Sequence, residues 1–165
     1  MRAGGSAALR TPRTGAVFEW RADCAGIEVG RCVADNRGAA LVIDYGHTET
    51  ALGETLQAVG QHAYADPLTC PGHLDLTAHV DFQSLTRAVE AMGTVGFGPI
   101  EQSQFLRRLG IERRAAALKA KVARAADIDQ ALERLIGRNR DAMGELFKVT
   151  AFAHPSVGAP PGFET

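Results

Sequence analysis

Apolar residues along this chain change their spacing several times, and each change marks an element. The clearest run is Ala39-Ala40-Leu41-Val42-Ile43, apolar throughout and closed by Asp44-Tyr45-Gly46. Such an unbroken run reads as a parallel strand covered on both faces. Ahead of it, residues 16–20 read as a short strand, and Ile27, Cys32 and Val33 fall at loose helical spacing before the turn signal Asn36-Arg37-Gly38. Phe82, Leu85, Val89 and Met92 then recur on one helical face, with Asp81 placed as the N-cap and Gly93 as the stop. Residues 94–100 form a strand candidate that Gly96, Gly98 and Pro99 make irregular and peripheral. Helical spacing returns over 102–109 with Phe105, Leu106 and Leu109, and over 112–125 with Leu118 and Val122. A third such segment, capped by Asp127, carries Ala131, Leu132, Leu135 and Ile136. Over 145–153, Phe147, Val149 and Ala151 alternate against Lys148 and Thr150, the two-residue period of a strand.

Strands separated by helices place the chain in the α/β class. Between the first long strand and the capped helix, residues 46–81 keep no period and contain Pro67, Pro71 and four glycines, which reads as a long ordered insertion. Insertions of that length inside a compact domain usually carry function. Residues 1–15 form an irregular lead-in, 16–153 one domain, and 154–165, with three prolines, an extended tail.

Charge refines this picture. The net charge is only −1, against the broad basic field a general nucleic-acid binder needs. It is unevenly spread: residues 41–92 hold seven acids and one base, Arg87, whereas 101–140 hold ten bases and five acids. The basic stretch reads as solvated helix faces, and the acidic stretch suits a cationic substrate. No apolar run is long enough to span a bilayer, so no membrane is called for. Cys24, Cys32 and Cys70 are odd in number and lack metal-ribbon spacing, which fits a reducing bacterial cytoplasm, or the mitochondrion for a eukaryotic chain. Arg2, Arg10 and Arg13 in an acid-free start are compatible with the latter.

Two clusters can carry chemistry. In an open α/β sheet, ligands gather beyond the carboxyl ends of the strands, where Asp44, Tyr45 and Gly46 stand. A carboxylate there either binds a cation or ties down the following loop, and the glycine lets the backbone turn toward a ligand. The second cluster is Asp75-Leu76-Thr77-Ala78-His79-Val80-Asp81. If extended, it projects Asp75, Thr77, His79 and Asp81 to one side, a row able to orient a guanidinium beside an imidazole. Taken singly, these residues also suit a helix cap, a backbone hydrogen bond and ordinary packing. The five histidines match no standard metal-ligand spacing, and the glycines of 93–98 lack the lysine and helix start of a phosphate loop.

The same clusters carry a family resemblance. ALVIDYGH at 40–47, GETLQAVGQHAYADPL at 53–68, PGHLDLTAHVDF at 71–82, FLRRLGIERRAAAL at 105–118, MGELFKVTAF at 143–152 and PPGF at 160–163 resemble, in order, the C-terminal portion of MidA-like methyltransferases. The resemblance implies a partial class I methyltransferase sheet, Rossmann-like, with flanking helices and a long family-specific insertion. It implies S-adenosylmethionine as methyl donor, although the family's glycine-rich donor loop and ribose-binding acid have no counterpart in this chain. It also implies a protein substrate methylated on arginine, with a link to a subunit of respiratory complex I and its assembly. On this reading Asp44 and His79 are the catalytic candidates, and Tyr45, Gly46, Asp75, Thr77 and Asp81 line the substrate. At most four strands where the family sheet has seven would leave apolar edges bare, so self-association is expected. The competing expectation is a non-catalytic module that keeps the substrate-side insertion to hold a protein partner.

Overall fold

The computed structural model describes residues 14–20, 23–60, 63–69, 72–121, 124–139 and 141–164. The lead-in up to residue 13, Cys70, and Val122 of the second basic helix lie outside them. In chain order the first elements are α1 (Cys24–Asn36), β1 (Ala39–His47), β2 (Gln57–Gly60), β3 (Ala63–Ala65), β4 (Asp75–Thr77) and β5 (Val80–Asp81). They are followed by α2 (Phe82–Glu90), β6 (Val95–Glu101), α3 (Gln102–Arg108), α4 (Ile111–Lys119), α5 (Ala125–Ile136) and β7 (Phe147–Ala153).

The main sheet has the order β5-β1-β7-β6. Because β7 runs antiparallel to both β1 and β6, those two strands are parallel to each other and share a carboxyl edge. β6 is the peripheral strand its glycines suggested, with a register shift between Phe97 and Ile100. The fold is therefore α/β with a mixed sheet. Four expectations are corrected in detail. Residues 16–20 are not a strand. β1 is longer than its apolar run, and its principal partner is antiparallel: seven residue pairs join it to β7, from Ala39↔Ala153 to Tyr45↔Phe147. Its parallel pairing is confined to Gly46↔Val80 and His47↔Asp81 on β5. Nor is β1 covered on both faces, since Leu41 is 50% and Ile43 44% exposed.

The reason lies in where the covering elements sit. Leu41 and Ile43 are cross-strand neighbours of Ala151 and Val149, so all four share a face. On that face the core gathers under β7 and β6, where Phe105 of α3 and Phe163 pack on Val149 and Ala151. The helix leaves β1 uncovered. On the other face α1 and α2 pack together, and a Cβ added at Gly30 would stand 2.8 Å from the Met92 side chain, so glycine permits the close approach. Phe82, Val89 and Phe152 are fully buried. α1 ends in a left-handed residue, Arg37 at φ 49°, while the next amide, Gly38, donates to the Val33 carbonyl at 3.1 Å.

Asp81 is the N-cap of α2, as its position foretold: its Oδ1 accepts the Ser84 amide at 3.0 Å. Asp127, by contrast, falls inside the first turn of α5 rather than capping it. The insertion is built, not irregular: β3, β2 and β4 form a separate three-stranded antiparallel sheet. Residues 154–164 run through turns instead of a plain extended line, and Phe163 inserts into the core at 7% exposure.

Candidate functional site

A cavity of about 650 Å³ opens at the carboxyl ends of β1 and β5, between the first turns of α1 and α2 and the loop after β1. Its size is that of a small-ligand pocket, roughly 300–1,000 Å³. Residues 18–20 also line it, and the segment that carries them is fastened by four hydrogen bonds. The Gly53 amide donates to the Val17 carbonyl at 2.9 Å. The Glu19 carboxylate accepts from the amides of Thr55 (2.8 Å) and Leu56 (3.0 Å) and from the Thr55 hydroxyl (2.5 Å). The short lead segment is thus held by charge-assisted hydrogen bonds instead of a strand ladder. Thr55 passes the restraint on, because its Oγ1 also accepts the His79 backbone amide at 3.1 Å.

The candidate residues divide among three places. His79 and Asp81 line the cavity, joined there by His47, Thr50 and Thr55. The His79 ring meets the Tyr45 ring edge-on at 5.7 Å, and Tyr45 meets Phe147 at 5.6 Å, so the imidazole is braced by Tyr45, which Phe147 in turn supports. Asp81 Oδ2 accepts the Thr50 hydroxyl at 2.6 Å while Oδ1 caps α2, which ties the loop after β1 to the helix start. Asp44 alternates to the face opposite Tyr45, where its cross-strand neighbour is Lys148, itself opposite Glu101. Its Oδ1 accepts the Tyr45 amide at 2.8 Å. Asp75 and Thr77 sit in β4 of the small sheet, and the extended row expected from Asp75 to Asp81 is interrupted at Ala78 and His79. Gly46 has a packing reason: a Cβ there would meet the Val80 backbone and stand 2.9 Å from the Phe82 ring.

Sequence reasoning passed over Glu19, Trp20, Asp23 and His47, all of which line the cavity. Glu19 and Trp20 lay in what read as a strand, and Asp23 in a loosely patterned stretch, so no periodicity flagged them. No local pattern signals Glu19 either, because the amides that it holds lie 36 and 37 residues on.

The fit of a methyl donor is tested by the turns that leave the strands. β5 passes directly into α2 and β6 directly into α3, while β1 leads into the loop of the insertion. Among the described residues, therefore, no glycine-rich turn joins a strand's carboxyl end to a helix, and these residues do not themselves form a donor cradle. No described helix is long and apolar enough to cross a membrane.

Comparison with known proteins places these features. Residues 9–100 match the family described as "Putative S-adenosyl-L-methionine-dependent methyltransferase". The rat protein arginine methyltransferase NDUFAF7, mitochondrial, is 39% identical over 124 residues, which are 73% of this chain and 27% of that protein. The human counterpart is 41% identical over 91 residues, 55% of this chain and 20% of the relative. Among solved structures, a Burkholderia thailandensis protein bound to S-adenosyl-homocysteine is 31% identical with a TM-score of 0.69, over 87% of this chain and 37% of its own. The chain thus spans about a quarter of the length of the curated relatives it matches. It belongs to this family of S-adenosyl-L-methionine-dependent methyltransferases.

Proposed function

We propose that the chain forms the substrate side of a methyltransferase that modifies arginine on a protein. The observation that carries this reading is the convergence of His79, His47 and Asp81 on one cavity at the carboxyl ends of β1 and β5, where open α/β sheets hold their ligands. The names of the mitochondrial relatives supply the acceptor, and the resemblance of the sequence supplies the protein substrate, a subunit of respiratory complex I. The mitochondrion is the matching location for a eukaryotic chain and the cytoplasm for a bacterial one.

Bound in the whole protein, S-adenosyl-L-methionine supplies the methyl group. The work assigned to this chain is to bind, orient and deprotonate the acceptor. His79, held by Tyr45 on its ring and by Thr55 on its amide, is the proposed proton acceptor. Asp44 adds a carboxylate at the same sheet edge and, through the Tyr45 amide, sets the strand end. Asp81 lines the near wall, Tyr45 behind the His79 ring and Gly46 against Val80 set the strand end on the proposed substrate side, and Asp75 and Thr77 extend the substrate surface along the insertion. A second reading, a protein-binding module without catalysis, is favoured by one observation, the exposure of Tyr64, Leu68 and Leu76 on the insertion.

A chimera separates the two. This chain, exchanged for the matching portion of the Burkholderia relative that binds S-adenosyl-homocysteine, should transfer label from methyl-tritiated donor to arginine peptides and not to lysine peptides. A folded chimera that binds donor yet labels neither peptide supports the binding module.

A further inference from the structure

The cavity carries more than the residues the family motifs contain. Its described lining holds three carboxylates, Glu19, Asp23 and Asp81, against one guanidinium, Arg87. Two of the three are committed. Glu19 is engaged with Thr55 and Leu56, and Asp81 with Ser84 and Thr50. Asp23 differs: it stands at the start of α1, yet its side chain makes no capping hydrogen bond. Its carboxylate is left facing the cavity region without the role its position usually brings. Beside it, Trp20 is 74% exposed, an unusual placement for so large an apolar ring outside a recognition surface. The fastening of residues 18–20 by Glu19 explains how the ring is held there, since no strand ladder holds it.

We propose that this cavity receives the arginine side chain of the substrate protein, with Asp23 as ion-pair partner of the guanidinium and Trp20 as the ring over which the planar cation stacks. The excess of negative charge in the described lining favours a cation over an anion, and at the start of α2 Asp81 already accepts the Ser84 amide. A planar, delocalised guanidinium suits a carboxylate and an indole face together better than an ammonium does. The inference rests on the arginine reading given above, and it adds the pocket and the two specificity residues.

Trp20 is the chain's only tryptophan, so intrinsic fluorescence reports on this mouth alone. Titration of the chain with acetyl-Gly-Arg-Gly-amide should give a saturable fluorescence change. The citrulline peptide, which keeps the shape and loses the charge, should bind at least about tenfold more weakly, and the lysine peptide more weakly than arginine. Asp23→Asn should weaken arginine-peptide binding about tenfold. Amide chemical shifts of ¹⁵N-labelled chain follow the same titrations, and should move at Asp23, His47 and His79 even where Trp20→Phe removes the optical signal. Absence of saturation by both methods, equal affinity for citrulline or lysine, or unchanged binding in a folded Asp23→Asn chain overturns the proposal. The binding assay needs no donor, so its outcome is independent of methyl transfer: peptide binding with an inactive chimera removes the methyltransferase reading alone, whereas arginine methylation without binding here removes the cavity assignment alone.

Discussion

At the scale of single residues, the site is held by side chains that each satisfy two neighbours. Asp81 caps α2 with one oxygen and holds Thr50 with the other. Its sequence position gave the first role away, because an acid before an apolar helical period is an N-cap signal. The second depends on a loop brought back over 31 residues, and no local pattern contains it. Replacing Asp81 by Ala should cost about 1–2 kcal/mol from the cap and somewhat more from the freed Thr50 hydroxyl. At about 2–4 °C per kcal/mol for a chain of this size, the cap alone corresponds to a fall of roughly 2–8 °C in melting temperature. Thermal unfolding checks it, and a variant as stable as the parent would mean that both hydrogen bonds are replaced by water. Gly46 teaches the complementary lesson: read as a turn toward a ligand, its missing side chain is instead the space taken by β5 and Phe82.

Among the elements, local patterns identified helices well and strand environments poorly. α2, α3, β6 and β7 stand close to where their periods put them, although β7 is buried on both faces from Val149 to Ala153, Thr150 included. β1 does not follow its composition. An apolar run says that a strand is buried somewhere, but not whether its neighbours are parallel, nor which residues cover it. Here residues 39–45 are paired on one edge only among the described residues, with Leu41 and Ile43 half open beside that edge. An open, apolar edge is a template for another strand. Light scattering should therefore show concentration-dependent self-association of the chain, reduced when Leu41 and Ile43 are both replaced by Lys. A parent that stays monomeric at every concentration would show that this edge is covered. The insertion was legible as ordered, yet its three strands were not, since β2, β3 and β4 are three or four residues each and too short to display a period.

For the molecule as a whole, the family motifs located the carboxyl edge of the sheet, whereas the cavity comes from packing distant segments against it. Residues 18–20, 47–55, 78–81 and the first turns of two helices meet there, and only a folded chain shows that His79 lines this space while Asp44 is not among its lining residues. On the proposed function, this meeting place works on the acceptor in methyl transfer. The most direct test is His79→Ala in the active chimera, comparing kcat/KM on an arginine peptide with melting temperature and donor affinity. Loss of a positioned proton acceptor should lower kcat/KM by about a hundredfold or more, with melting temperature and donor binding near those of the parent chimera. Methyl transfer at the parental rate by a folded His79→Ala chimera would contradict the claim.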